Sequence, residues 1–301
     1  MTFAFNTCCT ARSFDSPEWM EVYREFHRDL RLPEPLDPTG VGPSIFGWYG
    51  TTIWSGHPER VGREWCAPAN LRETHKIWEY VQVLGALRYG FGDLRGKRIL
   101  SLGAGIESPL WTLARLGADV VATDTYFERR YWHPEQVPYI RAGARVFCPY
   151  GECPPVRFVN LNLRFRSLRS LFTWARLGDF DVVYSISSLE HVHGTNRQGP
   201  PEGVPRIFAR KLRMFRKITR KLRRGGVFAF TTEVITACDA IRRLDFYTRS
   251  EIDAIVDDLG RQGLELLGPV DWSALGEQDL PTKGVPGARH TALSLAFKRV
   301  R

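Results

Sequence analysis

The sequence has no run of apolar residues approaching the roughly eighteen that a membrane-crossing helix needs, so no membrane span is predicted. The first ten residues lack a positively charged stretch ahead of an apolar one. No export signal is therefore predicted, and we expect a cytoplasmic protein. Only six of the 301 residues are cysteine, which is too few for a disulfide scaffold, so reduced thiols are expected.

Acidic residues are missing from one stretch, Arg206 to Arg224, which contains ten basic residues. These ten positive charges alone exceed the net charge of the whole protein, +9. A basic protein raises the question of nucleic-acid binding. Apolar residues recur in this stretch at helical spacing, which predicts an amphipathic helix with its charges facing solvent. A nucleic-acid partner is therefore an alternative and not the main prediction.

Residues 1–92 differ from the rest of the chain because they contain five of the nine tryptophans and show no strand-like alternation. Ser16 and Pro17 are typical of a helix start, and we predict helices at 18–30 and 71–87. The sequence thus predicts a helical, aromatic-rich N-terminal cap over residues 1–92 and a second domain over residues 93–301.

From Lys97 onward, short apolar runs alternate with amphipathic segments, which is typical of an α/β fold with helices on both faces of a parallel sheet. The predicted helices are 109–116, 167–175, 205–223 and 249–262. The predicted strands are 98–102, 119–123, 156–161, 181–185, 227–231, 264–267 and 291–297. We therefore expect a doubly wound, mostly parallel, seven-stranded sheet.

A glycine turn joins the first of these strands to its helix. Gly103 and Gly105 allow a tight turn and a close approach of a ligand to the backbone, and Ser108 and Pro109 are expected to open the helix. Asp124, twenty-one residues after Gly103, ends the second strand and is placed to bind both hydroxyls of a ribose.

Dinucleotides and S-adenosylmethionine both bind at such turns. A dinucleotide needs a third glycine beside its pyrophosphate, yet Ser108 occupies that position and Glu107 adds a negative charge next to it. S-adenosylmethionine carries no phosphate but has an ammonium and a sulfonium group, so an acid there is acceptable. The sequence favours S-adenosylmethionine as the cofactor.

Residues 94–298 resemble the class I S-adenosylmethionine-dependent methyltransferases, which have a Rossmann-like sheet. The resemblance lies in 102–109 with Asp124, in 180–192 (FDVVYSISSLEHV), and in 221–233 (KLRRGGVFAFTTE). It implies cofactor contacts from Gly103, Ala104, Gly105, Asp124, Thr125 and Ser185. Asn160 or Asn162, with Asn162 preferred, replaces the acid that binds adenine in the family, and Glu107 is expected to compensate for Ser101 at the methionine ammonium.

The acceptor is expected at the same edge of the sheet. His191 and His193 follow the fourth strand and are candidates for a general base, with Glu190 orienting one imidazole. Glu233 follows the fifth strand and is predicted to bind the acceptor. Tyr49, Trp54 and His75 of the cap are the remaining predicted substrate residues.

These residues predict methyl transfer to oxygen or nitrogen of a small or medium-sized biosynthetic molecule, such as a sugar or a natural product. One alternative is an RNA methyltransferase that uses the basic helix 206–224, and another is an inactive protein of the same fold that binds a partner. Cys148 and Cys153 have no matching second pair of ligands, so no metal site is predicted.

Overall fold

The structure, a computed structural model, describes residues 3–28, 71–128, 132, 134–148, 150–194 and 197–301. Its helices are α1 (Pro17–His27), α2 (Leu71–Gly90), α3 (Pro109–Arg115), α4 (Val137–Arg141), α5 (Leu168–Arg176), α6 (Pro205–Thr219) and α7 (Arg249–Arg261). Its strands are β1 (Arg98–Leu102), β2 (Asp119–Asp124), β3 (Arg157–Asn160), β4 (Phe180–Ile186), β5 (Gln198–Gly199), β6 (Leu222–Ala237), β7 (Arg242–Arg243), β8 (Leu264–Leu266), β9 (Leu280–Pro281) and β10 (Arg289–Arg299).

The main sheet has the strand order β3-β2-β1-β4-β6-β10-β8. Its first five strands are parallel, whereas β10 runs antiparallel to both β6 and β8. The two-residue strand β9 pairs with β10 and makes eight strands in the described part of the chain. The predicted fold class is confirmed, because all seven expected strands join one mostly parallel sheet.

The parallel strands form where the sequence has short, almost wholly buried runs. In β1 only Arg98 is partly exposed, and in β4 only Asp181 is. Strands that are covered by helices on both faces have this pattern, because neither face of the sheet meets water. The parallel register also brings the carboxyl ends of β1, β2, β3 and β4 to one edge of the sheet.

The N-terminal residues pack against the sheet through α2 and through a short extended segment. Cys9 N–H donates to Ala292 O at 2.8 Å, and Thr7 O accepts from Ser294 N–H at 3.0 Å. Helix α2 lies over β6 and β10, and α1 contacts α2. Ser16 Oγ caps α1 by accepting from Trp19 N–H, as expected. The domain boundary at residue 92 stays a prediction.

The basic segment is only partly as expected. Helix α6 ends at Thr219, and β6 begins at Leu222, because Lys221 O already accepts a strand hydrogen bond from Phe180 N–H at 2.8 Å. Nor do all its charges face solvent. Lys211 is buried, and its Nζ donates to Leu244 O and Asp245 O at 3.0 and 2.8 Å. Burial lowers the pKa of Lys211 to about 8.

Cys148 and Cys153 form a disulfide, so the expectation of reduced thiols is wrong for this pair. The loop between them turns back and brings their Cα atoms to 6.0 Å, a separation that a disulfide spans. Cys8 and Cys9 are buried. Burial raises the pKa of Cys8 to about 12.

Within the described residues, no helix combines the length and the apolar character that crossing a membrane requires.

Candidate active site

The glycine turn after β1 has the backbone shape that the sequence predicts. Gly103 and Gly105 have φ values of 62° and 51°, in the region that favours glycine. A Cβ on Gly103 would lie 2.4 Å from Ser188 Cβ, so this position also requires a residue without a side chain. Ala104 N–H donates to Thr123 O at 3.0 Å, which fixes the turn against β2.

Asp124 lies beside this turn. Its Oδ2 accepts a hydrogen bond of 2.9 Å from Gly105 N–H, and its Oδ1 accepts one of 2.6 Å from Thr125 N–H. Burial raises the pKa of Asp124, although these two backbone donors act in the opposite direction. A carboxylate at the end of β2 is thus held against the glycine turn, and its contact with a ribose stays a prediction.

Two residues that sequence reasoning missed hold the carbonyl groups of the turn. Tyr126 Oη donates to Gly105 O at 2.7 Å, and Ser188 Oγ donates to Gly103 O at 2.9 Å. Tyr126 is fully buried. The only available signal was position, because each residue follows shortly after the end of a strand at this edge of the sheet.

The helix start after the turn differs from expectation. Ser108 is buried, its side chain makes no capping hydrogen bond, and its Oγ has no hydrogen-bond partner among the described residues. Its backbone is already helical, so its side chain does not reach the N–H groups of the first turn. Pro109 takes the first helical position, as predicted. Glu107 is buried next to these residues.

The other predicted cofactor residues lie around the same edge. Ser185 is fully buried, and its Oγ donates to Leu102 O at 2.9 Å, which ties β4 to β1. Asn160 Oδ1 accepts from Phe127 N–H at 3.0 Å. Asn162 Nδ2 donates to Glu128 Oε1 at 2.7 Å. Both amides therefore brace the segment that follows Asp124.

An acidic cluster lies beyond the end of β4, beside the later half of β6. Glu233 was expected just after the fifth strand, but β6 continues to Ala237, because Glu233 pairs with Ala292 of β10. Ile186, the last residue of β4, pairs with Thr231, so Glu233 extends past β4 at the same edge of the sheet. Glu190 is fully buried in the short helical turn Leu189–Val192, and Glu233 is half-buried. Glu79 of α2 is also buried here, accepting from Lys76 Nζ at 2.7 Å and from Ser187 Oγ.

The two carboxyl groups of Glu190 and Glu233 are close enough to share a proton. Burial and the negative charge of Glu233 raise the pKa of Glu190 well above its usual value. Burial opposes ionisation of Glu233, but the interaction with the protonated Glu190 outweighs it and lowers the pKa of Glu233 to about 2. One ionised and one protonated carboxyl therefore face each other across the site.

His191 is oriented by Asp245, a residue that sequence reasoning did not find. His191 Nδ1 lies 3.0 Å from Asp245 Oδ2, and Nε2 lies 3.5 Å from Glu190 Oε1. Arg243 Nε donates to Asp245 Oδ1 at 3.0 Å. Burial disfavours the charge of Asp245, yet these hydrogen bonds lower its pKa. Asp245 is distant in sequence, so no local pattern marks it.

The remaining predicted residues have different surroundings. His75 is buried, with Nε2 2.5 Å from Gln278 O, and burial lowers its pKa to about 4. His193 does not belong to the acidic cluster that contains His191. It lines a basic cleft of about 460 Å³, and burial, with nearby arginines, lowers its pKa to about 4. Tyr49 and Trp54 lie outside the described residues.

The basic cleft adjoins α6 and the segment after β3. It is lined by Leu163, Arg164, Phe165, Arg166, His193, Arg210, Arg213, Met214 and Lys217. Five of these nine residues are arginine or lysine and none is acidic. The cleft is therefore suited to an anionic group.

No protein-family model and no curated protein matches the sequence. Solved structures do match. They include the Synechocystis magnesium protoporphyrin IX methyltransferase with bound SAM (16% identity, 69% of this chain and 72% of that one, TM-score 0.39). A Chlamydomonas reinhardtii arsenic(III) S-adenosylmethionine methyltransferase is 19% identical over 69% of this chain and 65% of that one, with a TM-score of 0.41. A Mesorhizobium loti S-adenosylmethionine-dependent methyltransferase is 18% identical over 72% of this chain and 97% of that one, with a TM-score of 0.42.

Proposed function

We propose that the protein is an S-adenosylmethionine-dependent methyltransferase that acts on oxygen or nitrogen of a small or medium-sized molecule. The observation that carries this proposal is the contact between Asp124 and the glycine turn, where Asp124 Oδ2 lies 2.9 Å from Gly105 N. A carboxylate held at the end of β2, beside a turn with two left-handed glycines, suits a ribose with two hydroxyl groups.

The surroundings of the turn favour S-adenosylmethionine over a dinucleotide. Glu107 is buried next to the turn, and its charge would repel a pyrophosphate but attract an ammonium group. Asn160 and Asn162 are the proposed adenine contacts, since both lie at or just after the end of β3. Bound there, S-adenosylmethionine supplies a methyl group on a positively charged sulfur.

The acidic cluster is the proposed acceptor end of the site. In methyl transfer the acceptor lone pair forms the new bond to carbon while the carbon–sulfur bond breaks, so alignment supplies much of the catalysis. An acceptor hydroxyl or ammonium must also lose a proton. The ionised Glu233 and the imidazole of His191, which Asp245 orients, are the groups proposed to hold the acceptor and take that proton.

Calorimetric titration with S-adenosylmethionine and its demethylated product tests the cofactor. We expect micromolar binding that Asp124→Ala weakens at least tenfold, which is about 1.4 kcal/mol. Asp119→Ala is the matched control, because Asp119 begins the same strand but is exposed at the opposite edge. NADH should not bind. Absence of binding by both sulfur ligands would refute the proposal and leave an inactive binding protein as the better interpretation.

A screen for the acceptor follows from the same proposal. The protein is incubated with S-adenosylmethionine and panels of sugars, phenols and amines, and formation of the demethylated product is measured. Glu233→Gln should reduce turnover of a true acceptor while leaving the affinity for S-adenosylmethionine within about threefold. Glu233 is on β6, and β4 lies between β6 and β1, the strand that leads into the glycine turn.

The basic cleft supports a second candidate, an RNA methyltransferase. Arg164 of the cleft donates through Nε to Val192 O at 2.7 Å, and Val192 follows His191, so a nucleic-acid backbone in the cleft would lie next to the turn that carries His191. RNA binding should then fall steeply with salt, and Arg210→Gln should weaken it and reduce the salt slope by about one. Arg95→Gln, which changes an exposed arginine before β1, is the control. Equal effects of both variants would count against a specific RNA site.

A further inference from the structure

Glu190, His191 and Glu233 bring three side chains that can bind a metal ion to one place, past the end of β4 and beside β6. Each offers one side-chain ligand atom, and these three atoms lie within 4.8 Å of one another. Imidazole nitrogens and carboxylate oxygens lie at about 2.0–2.2 Å from a bound Zn²⁺ ion. A small inward rotation of the side chains would therefore bring all three onto a single ion.

The second observation concerns the hydrogen bonding of the buried carboxyl group of Glu190. Glu190 is fully buried, yet neither of its oxygens accepts a hydrogen bond from an N–H or hydroxyl group among the described residues. Glu233 Oε2 is likewise buried without such a donor. A buried carboxyl group without donors is costly, so such groups are normally paired or bind a metal. The carboxyl groups of Glu190 and Glu233 lie next to each other, and Glu190 Oε1 also lies 3.5 Å from His191 Nε2.

The contact between His191 and Asp245 supplies the outer support that such a site needs. Histidines that bind a metal through one ring nitrogen usually donate the other N–H to a carboxylate, which fixes the tautomer and the ring orientation. His191 Nδ1 lies 3.0 Å from Asp245 Oδ2, and this contact turns Nε2 toward Glu190 Oε1. Asp245 is itself held by Arg243.

We propose that Glu190, His191 and Glu233 bind one divalent cation, with Asp245 as a positioning residue. The two carboxylates suit Mn²⁺, and the imidazole also suits Zn²⁺. The sequence alone predicts no metal, because Glu190 follows β4 whereas Glu233 lies within β6, and no local spacing joins them.

The role of the ion rests on the proposed methyltransferase function. A cation here would bind an acceptor hydroxyl and lower its pKa, so this site favours transfer to oxygen. With the ion bound, His191 and Glu233 would hold the acceptor through the ion and would not take its proton. The hydroxyl proton would leave to solvent, the oxygen lone pair would form the bond to the methyl carbon, and the sulfur would keep the electrons of the broken bond.

Calorimetric titration of the chelator-treated full-length protein with Mn²⁺ tests the site, with electron paramagnetic resonance reporting bound Mn²⁺. We expect one ion per chain. Zn²⁺ and Mg²⁺ are titrated in parallel, and competition by either with Mn²⁺ supports a single shared site. If none of the three binds at millimolar concentration, the proposal is wrong.

Variants locate the ion. Glu190→Gln and Glu233→Gln should each weaken Mn²⁺ binding about a hundredfold or more, and Asp245→Asn about tenfold to a hundredfold. Glu79→Gln is the matched control, because Glu79 is a buried acid of the same cluster that is tied to Lys76. It should change the affinity by less than about fivefold. Equal losses in all four variants would indicate a general effect of charge and overturn the site.

Titration of the same proteins with S-adenosylmethionine separates the two hypotheses. Retained S-adenosylmethionine binding shows that each variant is folded. If S-adenosylmethionine binds but Mn²⁺ does not, the metal site is wrong and the methyltransferase proposal stands. If Mn²⁺ binds as expected but S-adenosylmethionine does not, the metal site stands and its role in methyl transfer is wrong.

Discussion

Tyr126 Oη donates a hydrogen bond of 2.7 Å to the carbonyl oxygen of Gly105, whose N–H in turn donates to Asp124. Gly105 of the glycine turn is therefore held through both its carbonyl oxygen and its N–H group. Tyr126 follows β2 and is fully buried. A phenol buried under the turn thus maintains the backbone shape that the cofactor is proposed to meet.

Tyr126→Phe should destabilise the fold and the cofactor site together. The change removes one buried hydrogen bond and leaves the Gly105 carbonyl without this donor, which costs about 1–3 kcal/mol. We expect a lower free energy of unfolding in urea and a severalfold weaker binding of S-adenosylmethionine by calorimetry. Tyr247→Phe is the control, because Tyr247 is equally buried but its hydroxyl has no hydrogen-bond partner among the described residues. A similar loss in both variants would contradict the assignment.

Gly103→Ala should be more damaging than a substitution at a glycine with open surroundings. Gly96 has φ 70° with nothing near its Cβ position, so Gly96→Ala measures backbone strain alone, about 1–2 kcal/mol. Gly103 has φ 62°, and its added Cβ would also meet Ser188 at 2.4 Å. We expect a further loss of about 1–3 kcal/mol from this overlap. Urea unfolding of both variants gives the comparison, and equal losses would show that Ser188 moves aside.

Most of the fold could be predicted because its signals are local. Buried runs such as 98–102 and 119–124 mark the strands, and Pro109 and Pro205 begin helices at the expected residues. The predicted end of the basic helix, at residue 223, was wrong. The residues just after Thr219 have side chains that favour a helix, so the sequence predicted that it continues. Pairing of 221–222 with the start of β4, a contact between distant segments, outweighs that local preference.

The site was predictable only where the chain itself places residues at strand ends. Asp124 is the last residue of β2, and Glu233 comes just after the predicted strand 227–231, so their position at one edge of the sheet could be inferred, although β6 continues past Glu233 to Ala237. Glu79 and Asp245 reach the site from α2 and from the loop after β7, and no spacing links them to β4. Their burial beside Glu190 and His191 depends on tertiary packing.

The disulfide between Cys148 and Cys153 predicts a measurable thiol count. Titration of thiols in denaturant should find two more after reduction than before it. Because the bond closes a short loop, reduction should lower the free energy of unfolding by roughly 2 kcal/mol. A variant with both residues changed to serine should not respond to reductant, and an unchanged thiol count in the original protein would contradict the bond.

Acid should destabilise the protein through His27. His27 is 7% exposed, its Nε2 has no hydrogen-bond partner among the described residues, and burial lowers its pKa to about 3. In the unfolded chain a histidine has a pKa of about 6.5. Stability is therefore fully present above about pH 6.5 and falls as the pH drops toward 3, by up to about 1.4 kcal/mol per pH unit, because only the unfolded state takes up the proton.

His27→Phe removes this proton uptake while keeping an aromatic ring against Tyr23, whose ring centroid lies 4.1 Å away. We expect the free energy of unfolding to fall by roughly 2 kcal/mol less in the variant than in the original protein between about pH 8 and pH 5. In the folded protein His27 is neutral at both pH values, so a change in packing has the same effect on the free energy of unfolding at pH 8 and at pH 5. The difference between the two pH values therefore cancels it. Equal losses in the two proteins would show that His27 is protonated in the folded state, and the acid sensitivity would then have to come from other groups such as His75, whose pKa burial lowers to about 4.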